Sequence, residues 1–195
     1  MITLGCTGGI GSGKSFVSKF FVRSGIPVYD SDSRTKTLYD EDKELLSGLV
    51  RLLGSGIVCD GRLDRKAMAS IIFNDAAVMD KIRKFVYPYV MKDFTKWKEG
   101  YVGKVPFVVM ESAVLLEDEY VRNYVDKVLV VTAPLDVRVA RVMERDGATR
   151  NEALERISNQ WSDDKRVEMA DFVICSVEGT DVASEVEKII GTINR

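Results

Sequence analysis

The octet Gly8-Gly9-Ile10-Gly11-Ser12-Gly13-Lys14-Ser15 matches G-x-x-x-x-G-K-[S/T] at every fixed position. It stands between a short apolar run, 1–6, and a segment, 14–23, that carries Phe16, Val17, Phe20 and Phe21 at helical spacing. Strand, glycine loop and helix in that order predict a phosphate-binding loop. Its glycines let the chain turn sharply and leave amides unshielded. The N–H groups of Gly9, Gly11, Ser12, Gly13, Lys14 and Ser15 can then converge on a polyphosphate at a helix N-terminus. Lys14 is expected to reach the β- and γ-phosphates, and the Ser15 hydroxyl to bind the magnesium ion that bridges them.

With 195 residues, 46% of them hydrophobic, the chain can bury about 70% of its unfolded surface, enough for one core with small appendages. A net charge of −2 supplies no global positive field, so neither nucleic acid nor membrane is expected as a partner and phosphate recognition must be local. No apolar run approaches ~18 residues, and the N-terminus has no secretion signal, which predicts a cytoplasmic protein. Cys6, Cys59 and Cys175 share no C-x-x-C spacing. Cys6 and Cys175 fall in apolar strand-like runs and are expected as small buried side chains in a reducing compartment. Histidine is absent. That removes Ser-His and Cys-His nucleophiles and leaves proton transfer to a carboxylate, lysine, tyrosine or water.

Ser24-Gly25 stops the first helix, and 26–29 reads as a second strand running into Asp30-Ser31-Asp32. Ligands of an open parallel sheet bind outside the carboxyl ends of its strands, so both aspartates are expected on the rim that carries the glycine loop. A carboxylate close to bound ATP can deprotonate an attacking hydroxyl or hold a magnesium-bound water; capping the next helix is the plainer alternative. The stripe Leu45, Leu46, Leu49, Val50 and Leu53 predicts one helix over 33–53. Asp60-Gly61-Arg62 predicts a turn and Asp64 an N-cap. A face of Ile82, Phe85, Val86, Tyr89, Val90, Phe94 and Trp97 predicts a longer helix bent at Pro88. This excursion, 60–100, is too long for a plain crossover between the second and third strands. It is expected to be the platform for a second substrate.

Residues 104–110 read as a buried third strand that ends at Glu111, a candidate for the magnesium water shell. Runs at 127–132 and 171–175 complete five strands, and 181–193 reads as a last helix. Pro134 opens a helix with Arg138, Arg141 and Arg145 along one face, and Thr149 with Glu152 forms a capping box for the next. Acidic and basic residues interleave here, which usually marks a solvated face laced with ion pairs. A phosphoryl-transfer site, however, needs cations brought over the γ-phosphate by a closing segment, and Arg141 is the expected one. The pattern predicts an α/β fold with a five-stranded, mostly parallel sheet flanked by helices. The nucleotide-binding core is expected over 1–59, 101–136 and 167–195, the acceptor excursion over 60–100 and a lid over 137–166.

Neither D-x-x-G nor N-K-x-D, expected of a GTPase switch, occurs in the chain. A carboxylate after the second strand, a helical platform and an arginine-bearing segment favour a small-acceptor kinase. A kinase of another nucleoside or alcohol and an ATP-gated binding module are the alternatives. Over nearly its whole length the chain resembles the dephospho-CoA kinase family. The likeness rests on 7–15, Asp30 and Asp32, Asp60-Gly61 with 63–65, Leu115-Leu116-Glu117, Arg141 with Arg145-Asp146, and Gln160 with Arg166 and Ala170-Asp171. The resemblance implies a nucleoside-monophosphate-kinase-like core, ATP and magnesium as cofactors, and dephospho-CoA as substrate; a monomer or weak homo-oligomer is expected. It implies Asp32 as catalytic base, Lys14 as the loop lysine and Arg141 as the lid arginine facing the phosphates. Phe16 stands where the family often has threonine and could still turn its N–H to phosphate. Tyr87, Ala113 and Cys175-Ser176 also depart from the family pattern.

Overall fold

Near-continuous apolar runs can be buried on both faces only in the middle of a layered sheet, and the strands of this chain are placed accordingly. The computed structural model describes residues 1–73 and 75–194. They form two compact units, Met1–Asp30 with Tyr101–Arg195, and Ser31–Gly100. In the first, β1 (Ile2–Thr7) leads through the glycine loop to α1 (Lys14–Arg23) and β2 (Val28–Asp30).

The second unit contains α2 (Ser31–Glu41), α3 (Lys43–Leu53), a 3₁₀ turn (Ser55–Ile57), the hairpin β3 (Val58–Cys59) and β4 (Arg62–Leu63), α4 (Arg65–Phe73) and α5 (Ala76–Glu99). The single helix expected over 33–53 is two helices. Asp42 breaks it because its carboxylate accepts the N–H groups of Glu44 and Leu45, both at 2.9 Å, and caps α3. The hairpin turns at Asp60 (φ 51°) and Gly61 (φ 75°), the pair of left-handed residues that a two-residue turn requires. Helix α5 continues through Pro88. Leu45 and Leu49 of α3 and Val86, Val90 and Phe94 of α5 are buried. Gly48 lies so close under the Phe85 ring that a Cβ would overlap it. Arg34 of α2 makes a two-pronged pair with Asp93 of α5, at 2.9 and 2.8 Å. Helices α2 and α3 thus pack with α5, and the unit begins at Ser31, well before residue 60.

The first unit resumes with β5 (Phe107–Glu111), α6 (Glu119–Arg122), β6 (Lys127–Thr132), α7 (Leu135–Asp146), α8 (Arg150–Ser158), α9 (Asp163–Val167), β7 (Phe172–Cys175) and α10 (Val182–Ile193). Among the described residues its sheet has five strands in the order β2-β5-β1-β6-β7, every neighbouring pair parallel. One face buries Leu4, Phe107, Val109, Leu129 and Val131 under Val17 and Phe21 of α1 and Val182, Val186 and Ile189 of α10. Each such side chain stabilises the fold by about 1.5–3 kcal/mol when fully buried. At the amino rim, the Asp126 and Asp171 carboxylates accept the N–H groups of Thr3 (2.7 Å) and Val128 (2.8 Å), satisfying backbone donors where strands begin. The carboxyl rim is left to the loops that follow β1, β5, β6 and β7 and to the end of β2 at Asp30.

Candidate active site

The chain leaves β1 through α1 for β2 on one side of the sheet and later crosses from β5 to β6 on the other, so the loop after Thr7 sits where the strand order reverses, the usual ligand crevice of such sheets. Gly11 (φ 77°) and Gly13 (φ 97°) take left-handed conformations that favour glycine. Gly13 is the N-cap of α1, and no side chain caps that helix. Its amino end and dipole therefore face the loop, a setting that favours an anion. Within the loop Ser12 N–H donates to Gly9 O at 3.1 Å and Phe16 N–H to Gly13 O at 3.0 Å. The Phe16 ring is half exposed and meets Phe20 edge-on at 5.1 Å.

Lys14 Nζ folds over the loop, donating to Gly8 O at 2.8 Å, with Gly9 O at 3.4 Å. Ser15 Oγ donates to Glu111 Oε1 at 2.7 Å. Glu111 is 7% exposed at the end of β5. A hydroxyl and a carboxylate in contact beside a phosphate loop fit magnesium, a hard cation that takes one or two protein oxygens and otherwise binds phosphate and water. Cys6, one strand-end away, feels the same carboxylate: burial first, then the Glu111 charge, push its thiol up to about 12. It is a core side chain, as expected. Cys175 is exposed instead, because β7 is the edge strand and 175 is its last residue.

Arg141 reaches the loop from α7. Its Nη1 donates to Gly11 O and Ser12 O, both at 3.2 Å, and its Nη2 to Ser176 O at 2.8 Å. The three arginines expected on one helical face part company. Arg138 is 5% exposed, donates from Nε to Ile10 O at 3.0 Å, and pairs with Asp163 at 3.1 Å. Burial pulls its pKa down, against the Asp163 charge that raises it. Arg145 points outward and grips Asp146, which also accepts from Arg156 at 2.9 Å. Gln160 accepts Ile10 N–H at 2.7 Å.

Loop, Lys14, Ser15, Glu111 and Arg141 are thus brought together at one rim. Asp30 shares that rim, in register with Glu111 across β2 and β5. Asp32 lies two residues further on, in the first turn of α2 in the second unit. Nothing in the sequence marks Arg138 or Ser176 as site residues. A run of alternating charges does not say which arginine is buried, and Ser176 contributes its backbone carbonyl, which any residue carries.

A glycine loop ending in Lys-Ser at the reversal point of a parallel sheet, with an arginine laid across it, defines a P-loop kinase. The family model for dephospho-CoA kinase matches residues 2–181. The chain belongs to that family. It is 34% identical over 194 residues to a dephospho-CoA kinase of Porphyromonas gingivalis, covering 99% of this chain and 95% of the relative. A crystal structure from Thermus thermophilus, 32% identical, superposes with a TM-score of 0.84 over 98% of this chain and 96% of the other. A dephospho-CoA kinase structure from Campylobacter jejuni, 21% identical, shares the fold, with a TM-score of 0.70 over 98% of this chain and 96% of the other.

Proposed function

We propose that this chain transfers the γ-phosphoryl group of ATP to the ribose 3′-hydroxyl of dephospho-CoA, giving CoA and ADP, with Asp32, Lys14 and Arg141 carrying the step. The observation that supports it is the grouping of Lys14, the Ser15–Glu111 pair and Arg141 around one glycine loop. Lys14 exchanges its loop carbonyls for the β- and γ-phosphates, where its charge offsets the charge that develops on transfer. Arg141, already beside Gly11 and Ser12, supplies a second cation from α7. Asp32 accepts the proton of the attacking hydroxyl. Ser15, and Glu111 through water, would hold a magnesium ion, which would supply neutralisation of phosphate charge. The transition state of such transfers is loose, so aligning acceptor and donor is the larger part of the work.

In this reading the helices of 60–100 form the acceptor platform and 137–166 the lid. Three free cysteines suit a reducing cytoplasm. Substitution separates the roles. Asp32→Ala is expected to lower turnover by about 10²-fold or more with ATP affinity near normal, whereas Lys14→Ala weakens ATP binding as well. Unchanged turnover in Asp32→Ala contradicts the base assignment. An ADP-release assay with other nucleosides and alcohols tests the acceptor, and a preference for one of them contradicts the substrate.

A further inference from the structure

Both backbone groups of Ile10, at the crest of the loop, are taken by side chains of the segment 137–166. Arg138 Nε donates to its carbonyl and Gln160 Oε1 accepts its N–H. The Ile10 side chain packs against Val139, Val142 and Ala153, the small core that joins α7 to α8.

Arg138 is shaped into this grip. A Cβ on Gly9 would overlap its Nη2, and a Cβ on Gly11 would stand 2.5 Å from its backbone oxygen. Gly9 therefore makes room for the Arg138 side chain and Gly11 for the helix backbone at 138, apart from any approach to phosphate. Its Nη1 meets Asp163, whose carboxylate also lies 3.5 Å from the fully buried Arg166; Arg166 in turn donates to Glu117 Oε1 and Trp161 O, each at 2.5 Å. Arg138 Nη2 has no hydrogen-bond partner among the described residues. A buried donor left this way costs its desolvation without return, and a hydrophobic residue of similar volume generally packs at lower cost than a buried charge. The hold on Ile10 gives a specific reason for an arginine at 138.

We propose that Arg138 and Gln160 are positioning residues for phosphoryl transfer: by clamping the amide and the carbonyl of Ile10 they tie the shape of the phosphate loop to the packing of 137–166. ATP is then held tightly only while that segment is ordered against the loop. The inference rests on the reading of the loop as the ATP site, and its test keeps the two apart.

Gln160→Leu removes the acceptor at similar bulk, Gln160→Glu keeps an acceptor oxygen, and Arg138→Lys keeps the charge near Asp163 but lacks the fork needed to reach Ile10 as well. ATP affinity by titration calorimetry and the KM of each substrate are measured with melting temperatures alongside. Gln160→Leu and Arg138→Lys are each expected to weaken ATP binding about five- to tenfold, the loss of roughly one hydrogen bond, with the acceptor KM within about twofold. Gln160→Glu is expected to recover most of the ATP affinity. The proposal is overturned if folded Gln160→Leu or Arg138→Lys binds ATP like the unmodified chain, or if both KM values rise together. Should Gln160→Leu not fold, Arg138→Lys decides alone by the same two outcomes. No ATP binding by the unmodified chain would instead overturn the reading of the loop itself.

Discussion

Arg138, Arg141 and Arg145 leave one helix within two turns of each other, yet their surroundings make three different cations of them. Arg145 and its partner Asp146 sit at the surface, with 62% and 23% of their side chains exposed. Screening and side-chain entropy leave such a pair worth little, so Arg145→Ala is expected to change unfolding free energy by no more than about 1 kcal/mol in urea titrations. Arg141 has backbone carbonyls for partners, which hold a guanidinium in place without neutralising it. Arg138 is enclosed. From sequence these three are alike, since each stands among acids at helical spacing. Lys14 and Ser15 were legible because the loop's chemistry fixes their spacing, and Glu111 because an apolar strand ends on it. Cysteine supplies a check at the same level. Alkylation of the native protein at pH 8 is expected to label Cys59 and Cys175, with Cys6 reacting only after unfolding because its thiol is buried and stays protonated. Rapid labelling of native Cys6 would contradict the enclosure of β1.

Helix ends were read from sequence where the cap is a local hydrogen-bond pattern. Thr149 N–H donates to Glu152 Oε2 at 2.7 Å and the Thr149 hydroxyl accepts Glu152 N–H at 3.3 Å, the box expected at the start of α8. Asp64 likewise accepts from Lys66 and Ala67, at 2.9 and 3.0 Å. Asp42 is not legible as a cap because it lies within a run of charged residues, 40–44, where any of four acids could serve. The apolar stripe on either side reads through it. Thr149→Ala is expected to cost about 1 kcal/mol, seen as a lower melting temperature, because the Glu152 amide loses its partner. Helix α8 packs on α7 through Ala153 against Val139 and Val142. If the segment 137–166 governs the loop as argued, this variant also weakens ATP binding; a melting shift with unaltered ATP affinity would confine the cap to stability.

Across the full chain, a five-stranded parallel sheet flanked by helices followed from alternating strands and helices, but the grouping of α2 and α3 with α4 and α5 did not, because it depends on packing such as Gly48 under Phe85 and Arg34 on Asp93. Two carboxylates of the first unit are sensitive to acid. Burial raises the Asp171 pKa, but the hydrogen bonds from Lys127 and the Val128 amide outweigh it and hold the carboxyl below the ordinary range. The hydrogen bond from Arg145 does the same for Asp146, outweighing the smaller effect of burial. A carboxyl whose pKa is lower in the folded state stabilises the fold above its unfolded value, near ~4, and that contribution is lost as pH falls through the folded value. Urea midpoints are expected to be level from about pH 7 to 5 and to fall below about 4, with Asp171→Asn flattening the fall.

The reaction itself offers the most direct trial. Dephospho-CoA incubated with the protein, ATP and magnesium, then analysed by mass spectrometry with fragmentation, is expected to gain one phosphoryl group on the ribose 3′-oxygen, with an equal amount of ADP. ATP bound by the loop but turned over without any phosphoryl group appearing on dephospho-CoA would contradict the account.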